Sequence, residues 1–222
     1  MKAVILLFVL AAGLADNLGL FEAQRDVGVN AKPGSAEYDE KAKSYRVTGG
    51  GANMWFKEDA FHFVYLQTSG DVSLSADVAF EGQGVEAHRK AALMIRQSLE
   101  PNSAYADIAV HGDGLTSLQY RPESAVDTSE FRLAIKGPRT ISIQRKGNEI
   151  TVAASDGAGK PVTNGPVIVS MTGPVYVGLA VCSHNADVLE TAIFSNVRLR
   201  TSKSAGALQL VAEHGGEWLP AR

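Results

Sequence analysis

Three short runs of this chain bring together the side chains that can do polar chemistry. In residues 91–97 the alternation puts Leu93 and Ile95 on one face and Met94 and Arg96 on the other. In residues 105–111, Ala106, Ile108 and Val110 make an apolar face, and Tyr105, Asp107 and His111 share the opposite one. Beyond the turn Gly112-Asp113-Gly114, Gln119 and Arg121 share a face, with Leu118 and Tyr120 opposite. If these strands are neighbours, Arg96, Asp107, Gln119 and Arg121 form one patch of guanidinium, carboxyl and amide groups, all able to make paired hydrogen bonds. Two readings of the patch stand: donors and acceptors lining a groove, or a solvated salt-bridge cluster of small energetic value.

Two further residues belong with it. Trp55, after the run Gly49-Gly50-Gly51-Ala52-Asn53-Met54, offers a flat aromatic platform, although buried core tryptophans are at least as common. His184, in the loop Ser183-His184-Asn185, is a rim residue able to hydrogen-bond a ligand, although a lone loop histidine more often has no role. No Gly-x-Ser-x-Gly elbow, zinc-ligand spacing or phosphate loop is present. The glycines at 49–51 and 112–114 are turn glycines, since no helix follows either run. Asp107 with Glu86, or with Asp77, is a conceivable but non-standard carboxyl pair.

The elements that position these residues read as strands throughout. Period-two alternation recurs over residues 61–68, 72–80, 140–146, 175–181 and 192–199. Gly112-Asp113-Gly114 and Gly147-Asn148 mark hairpins. Odd and even positions differ in polarity in most runs, which argues for strands with one face on a core, and so for two antiparallel sheets packed face to face. An all-β two-sheet antiparallel sandwich, a jelly roll, is the expected fold. The chain has 222 residues, 45% hydrophobic and 20% charged, enough for one large β domain. A net charge of −3 and no basic run argue against a nucleic-acid partner.

Residues 1–15 carry Lys2, an apolar run over 3–14 and small residues at Gly13 and Ala15, the pattern of a cleaved signal peptide. Residues 16–200 form the expected domain, and 201–222, with no strong period, a C-terminal tail. No other stretch reaches about 18 apolar residues, so no further membrane span is expected. The single cysteine, Cys182, cannot form an internal disulfide; inside a strand run it reads as a small buried filler.

The ordered pieces GLFEAQRDVG, YRVTGGGANMW, DAFHFVYLQTSGD, AALMIRQSL, AYADIAVHGDG, LQYR and YVGLAVCSHN…LETAIFSNV resemble secreted bacterial domains of the concanavalin A-like lectin/glucanase superfamily, and among them the DUF1349-type modules. The resemblance spans roughly residues 18–199. It implies a curved sandwich whose concave sheet carries a ligand groove, and so a carbohydrate held by Trp55, Arg96, Asp107, Gln119, Arg121 and His184. Glucanases of this fold use a Glu-x-Asp-x-Glu strand. Residues 37–40, EYDE, come nearest, but Glu40 falls on the opposite face from Glu37 and Asp39, so that pair is rejected. The resemblance also allows a structural calcium ion, for which Asp26, Asp71, Asp187 and Glu190 are the loop acids, without a visible ligand ladder.

The expectation is thus an exported, secreted or periplasmic, carbohydrate-binding module without catalysis, its partner an oligosaccharide or polysaccharide. Two alternatives stay open: a glycoside hydrolase with a non-standard acid pair, and a structural or adhesion domain that binds proteins.

Overall fold

The computed structural model describes residues 17–202; the signal segment expected at 1–15, and the tail after Ser202, lie outside the described residues. The described residues form strands and turns with no α-helix. The strands in chain order are β1 (Ala23–Val27), β2 (Ser35–Asp39), β3 (Ser44–Gly49), β4 (Met54–Trp55), β5 (Glu58–Asp59), β6 (Phe61–Thr68), β7 (Val72–Glu81), β8 (Lys90–Arg96), β9 (Tyr105–His111), β10 (Leu115–Arg121), β11 (Ser129–Lys136), β12 (Thr140–Lys146), β13 (Glu149–Ser155), β14 (Val162–Ile168), β15 (Val175–Cys182) and β16 (Glu190–Thr201).

Two seven-stranded sheets contain all but β4 and β5. The first runs β1-β6-β15-β8-β9-β10-β11, the second β14-β13-β12-β7-β16-β3-β2. Every pairing is antiparallel, as short turns between alternating strands require. Between the sheets one core collects Val64, Leu66, Leu93, Ile95, Ile108, Leu118 and Leu179 from the first and Val47, Leu74, Ile141, Ile143, Val152 and Phe194 from the second. Burying a side chain of this size contributes about 1.5–3 kcal/mol. This is the expected two-sheet antiparallel sandwich.

Two features depart from the sequence reading. Residues 156–165, DGAGKPVTNG, have the glycine-rich polar composition of a loop, yet β14 begins at Val162 and includes Gly165 and Pro166. Proline is tolerated there because β14 is an edge strand and the ladder shifts opposite it, between Ile150 and Val152. More important for the site, β8 and β9 are buried along their whole length, on both faces. Their polar face is turned away from the sandwich, but it is not solvated. A second core lies there, made of Val27, Met54, Phe61, Phe63, Ala92, Met94, Tyr105, Ala109, Ala180 and Cys182.

Candidate functional site on the outer face of the first sheet

What covers this face is a flap, residues 51–60, folded as the small hairpin β4–β5. Its root needs Gly51, at φ 103°, where a Cβ would collide with the Ala60 carbonyl. At its tip Phe56 holds φ 49°, an unfavourable conformation for a bulky residue. The Phe56 carbonyl explains how that conformation persists. It accepts hydrogen bonds from Thr128 N (3.0 Å), Thr128 Oγ1 (3.0 Å) and Arg121 Nη2 (3.0 Å).

Arg96 and Arg121 belong to the flap's anchorage. Arg121 grips the flap residue Asp59 in a two-point pair, Nη2–Oδ1 2.7 Å and Nη1–Oδ2 2.9 Å, and Arg96 Nη2 stands 3.5 Å from Asp59 Oδ2. All three side chains are 0% exposed. Further guanidinium donors go to the carbonyls of Ser98 (2.6 Å) and Glu100 (2.6 Å) from Arg96, and of Ser103 (2.9 Å) from Arg121. Each guanidinium also faces a ring, Arg96 over Phe61 at 5.1 Å and Arg121 over Tyr105 at 4.9 Å. Burial lowers Arg96 to about 10, opposed by the Asp59 charge, so it stays protonated at neutral pH. Neither sequence reading of the patch therefore describes these two arginines. They are not solvated, and as groove donors they have no N–H facing outward; the correction follows from Asp59, which reads as a turn acid between strands.

Asp107 and Gln119 stand elsewhere on the same face. The register places Met94, Asp107, Gln119 and Glu130 in one row across β8, β9, β10 and β11. The next row is Ala92, Ala109, Ser117 and Arg132. Asp107 is 0% and Gln119 1% exposed, and Ser117 is fully enclosed. Yet Asp107 Oδ1 and Oδ2, Ser117 Oγ and Gln119 Oε1 make no hydrogen bond. Enclosed polar atoms without partners are uncommon in folded proteins, and several on adjoining strands are more so. Burial pushes the Asp107 carboxyl well above the usual carboxylate range, with the Lys90 charge as the main opposing influence.

The sequence reading missed Lys90, Ser117 and Glu130. Lys90 is 3% exposed, opposite His111 and Cys182 in the ladders, and donates to Asn53 Oδ1 of the flap. Burial lowers its pKa. Glu130 is held below the usual range: burial would raise it, and Arg132 at 2.9 Å, together with the neighbouring Ser117 and Gln119 side chains, outweighs that. The signal for Glu130 and Ser117 was present as parity along β10 and β11. Lys90 ends the polar, glycine-containing stretch 81–90, EGQGVEAHRK, whose composition is that of a loop.

Trp55 lies half-buried on the flap, with its ring 6.4 Å from that of the exposed Phe56. His184 is half-buried in the β15–β16 loop at φ 59°, with Nδ1 unpartnered. Its ring is 5.6 Å from His88, which is 5.7 Å from His111. Burial lowers His111 to about 4, so it is neutral at pH 7. At this end Asn185 Nδ2 donates to Glu86 at 3.1 Å.

Asp77 cannot pair with Asp107. It belongs to β7 of the other sheet, where it binds Arg139 and Asn196. The acids considered for calcium do not converge either. Asp26 binds His62 Nδ1 (2.8 Å), Asp71 accepts from Gly147 N (2.9 Å), and Glu190, in β16, pairs with Arg89 (2.6 Å). Among the described residues no group of three or more His, Cys, Asp or Glu is placed to hold a metal ion.

No protein-family profile matches the sequence, and no curated protein matches it. Solved structures do match. A functionally unknown protein from Saccharomyces cerevisiae superposes with a TM-score of 0.58 at 16% identity, over 80% of this chain and 96% of that one. The carbohydrate binding module CBM66 from Bacillus subtilis gives 0.50 at 16% identity, over 82% and 98%. Lectin UEA-II, complexed with galactose, gives 0.51 at 9% identity, over 80% and 96%. At these identities the likeness is one of fold: the chain has the jelly-roll sandwich of lectins and carbohydrate-binding modules.

Proposed function

We propose that the chain is an exported carbohydrate-binding module, secreted or periplasmic, of the DUF1349 type, which binds glycan on the outer face of the first sheet without cleaving it. One observation carries this reading. Asp107, Ser117 and Gln119 hold unpartnered oxygens on adjacent strands of that face, beside a flap that presents a half-buried Trp55. Sugars supply what such a surface lacks, since hydroxyls satisfy planar polar groups and C–H faces stack on indole. His184 lies at the rim, and Glu130 borders Gln119 at 3.5 Å. Solved neighbours of this fold include a carbohydrate binding module and a lectin, which supports this reading.

The test is affinity electrophoresis of the purified protein in gels containing soluble polysaccharides, with chromatography of the incubated polysaccharide. Retardation by at least one neutral polysaccharide, weakened roughly two- to tenfold by Trp55→Ala, and no released product are expected. Released oligosaccharide would favour the hydrolase alternative. No retardation by any polysaccharide, with the fold intact, would leave the adhesion alternative.

A further inference from the structure

We infer that a cleft on the outer face of the second sheet binds an oxyanion, the phosphate or sulfate group of a small ester, through Lys146, Ser73 and Gln144 above a buried Arg145. The site lies on the other sheet from the one proposed to hold glycan, and it stands or falls without that reading.

The cleft opens where β12, β7 and β16 run side by side, and its volume is about 270 Å³. The register puts Gln144, Ser73 and Arg200 in one row across those strands, with Lys146 two residues beyond Gln144 on the same face. The alternate residues Ile143, Val72 and Leu74 belong to the core, so the row faces away from it. Asp71 fixes one margin. Its Oδ1 accepts from Gly147 N and its carbonyl from Ser202 N, both at 2.9 Å, which ties the β12–β13 turn and the end of β16 to the start of β7.

The charges point to an anion. Arg145 lines the cleft and is 5% exposed. Its Nη1 and Nη2 donate to the carbonyls of Gly70 (2.7 Å) and Met171 (3.1 Å), and its Nε has no partner. Asp71, the one acid of the lining, acts on it through space without forming an ion pair. A buried cation met only by neutral dipoles is unfavourable, and an anion in the cleft offsets that. Lys146 is exposed and makes no ion pair with its ladder partner Glu149. The Ser73 and Gln144 side chains are half-buried and make no hydrogen bond, so their donors are open to the cleft. Arg200 adds a second exposed cation to the wall.

An ammonium and two neutral donors around one space suit a tetrahedral oxyanion, whose oxygens accept from several directions. The volume falls below the roughly 300–1,000 Å³ of pockets for drug-sized ligands, so the ester is a small one, of monosaccharide size.

The experiment is an NMR titration of the full chain at low salt with inorganic phosphate, glucose 6-phosphate, glucose 6-sulfate and glucose. The three anions are expected to shift the amide signals of Ser73, Gln144 and Lys146, with both esters binding at least as tightly as phosphate and glucose at least tenfold more weakly than its esters. Added salt weakens the anions, as screening requires. Lys146→Gln and Ser73→Ala change side chains outside the core, so the fold is kept while ester binding weakens roughly threefold to tenfold. Glucose bound as tightly as its esters overturns the anion assignment. Phosphate bound without its esters overturns the ligand class. Unchanged ester affinity in both variants overturns the place. Failure of all three anions overturns the inference as a whole. None of these results bears on retardation by neutral polysaccharides, which Lys146→Gln is expected to leave as it is.

Discussion

Arg121 and Asp59 meet through two parallel hydrogen bonds, 2.7 and 2.9 Å long, with neither side chain reaching solvent, although 62 residues separate them in the chain. That contact fixes a flap to a sheet. It turns what would be a wet outer face into a second core, and it sets which polar groups of that face remain without partners.

Removing one member of this cluster strands the others. Arg121→Met leaves the Asp59 carboxylate with only the longer contact to Arg96 and releases the Phe56 carbonyl at a strained φ. Breaking a buried pair from one side typically costs 3–5 kcal/mol, roughly. The expected result is a loss of that size in urea unfolding, with the triple change Asp59→Leu, Arg96→Met, Arg121→Met costing less than Arg121→Met alone. A loss within about 1 kcal/mol for the single change would show that the flap is not held here.

The histidines give the stability a pH signature. Burial depresses His111 to about 4, with the Lys90 charge acting in the same sense, and burial also lowers His62 and His184. At His111 the unfolded chain takes up a proton near pH 6.5 and the folded one only near 4, so the His111 contribution to stability is complete above 6.5 and falls as pH drops through that window. In the Asp107→Asn background, where the opposing titration of Asp107 is absent, urea midpoints measured from pH 7 to 4 are expected to decline, and His111→Gln to flatten the decline. An unchanged pH profile in His111→Gln would mean that His111 is solvated.

How much of this was legible beforehand follows from range. Leu93, Ile95, Ile108 and Val177 announce their strands by alternation, because each repeats a pattern that its neighbours share. Parity also put Asp107 and Gln119 on one face, and the register bears that out. The flap was not legible. Lys57-Glu58-Asp59 has the composition of an exposed turn, and nothing near it in sequence shows that Asp59 is enclosed by Arg96 and Arg121. The polarity of β8 and β9 misled for the same reason. Their outward polar residues face a roof built from a distant segment.

Cys182 offers a clean probe of the roofed face. Burial raises its thiol to about 11, and it lies fully enclosed opposite Lys90, its Sγ 3.5 Å from the Gly51 carbonyl at the flap root. The thiolate is the reactive form, so a raised, enclosed thiol is inert. Dithionitrobenzoate at pH 8 is expected to leave the native protein unlabelled and to release one thionitrobenzoate per chain in denaturant, since the chain holds a single cysteine. Rapid labelling in the Arg121→Met variant, with the core intact, would locate the opening at the flap. Rapid labelling of the wild type would contradict the enclosed geometry.

Asp107 makes the sharpest prediction, because its sign is unusual. A carboxyl raised by burial keeps its proton where the unfolded chain has lost it, so above the unfolded value, about 4, stability falls as pH rises toward the folded value. Asp107→Asn supplies a permanently neutral group of the same shape, with an N–H that can donate to Gln119 Oε1 or Ser117 Oγ. The variant is therefore expected to be more stable than the wild type at pH 7, with the difference closing by about pH 4 as the wild-type carboxyl stops paying for its burial. The check is the difference in urea midpoint between the two proteins as a function of pH. A less stable Asn variant at pH 7 would mean that the carboxylate is ionised and paired, with Lys90 the candidate partner.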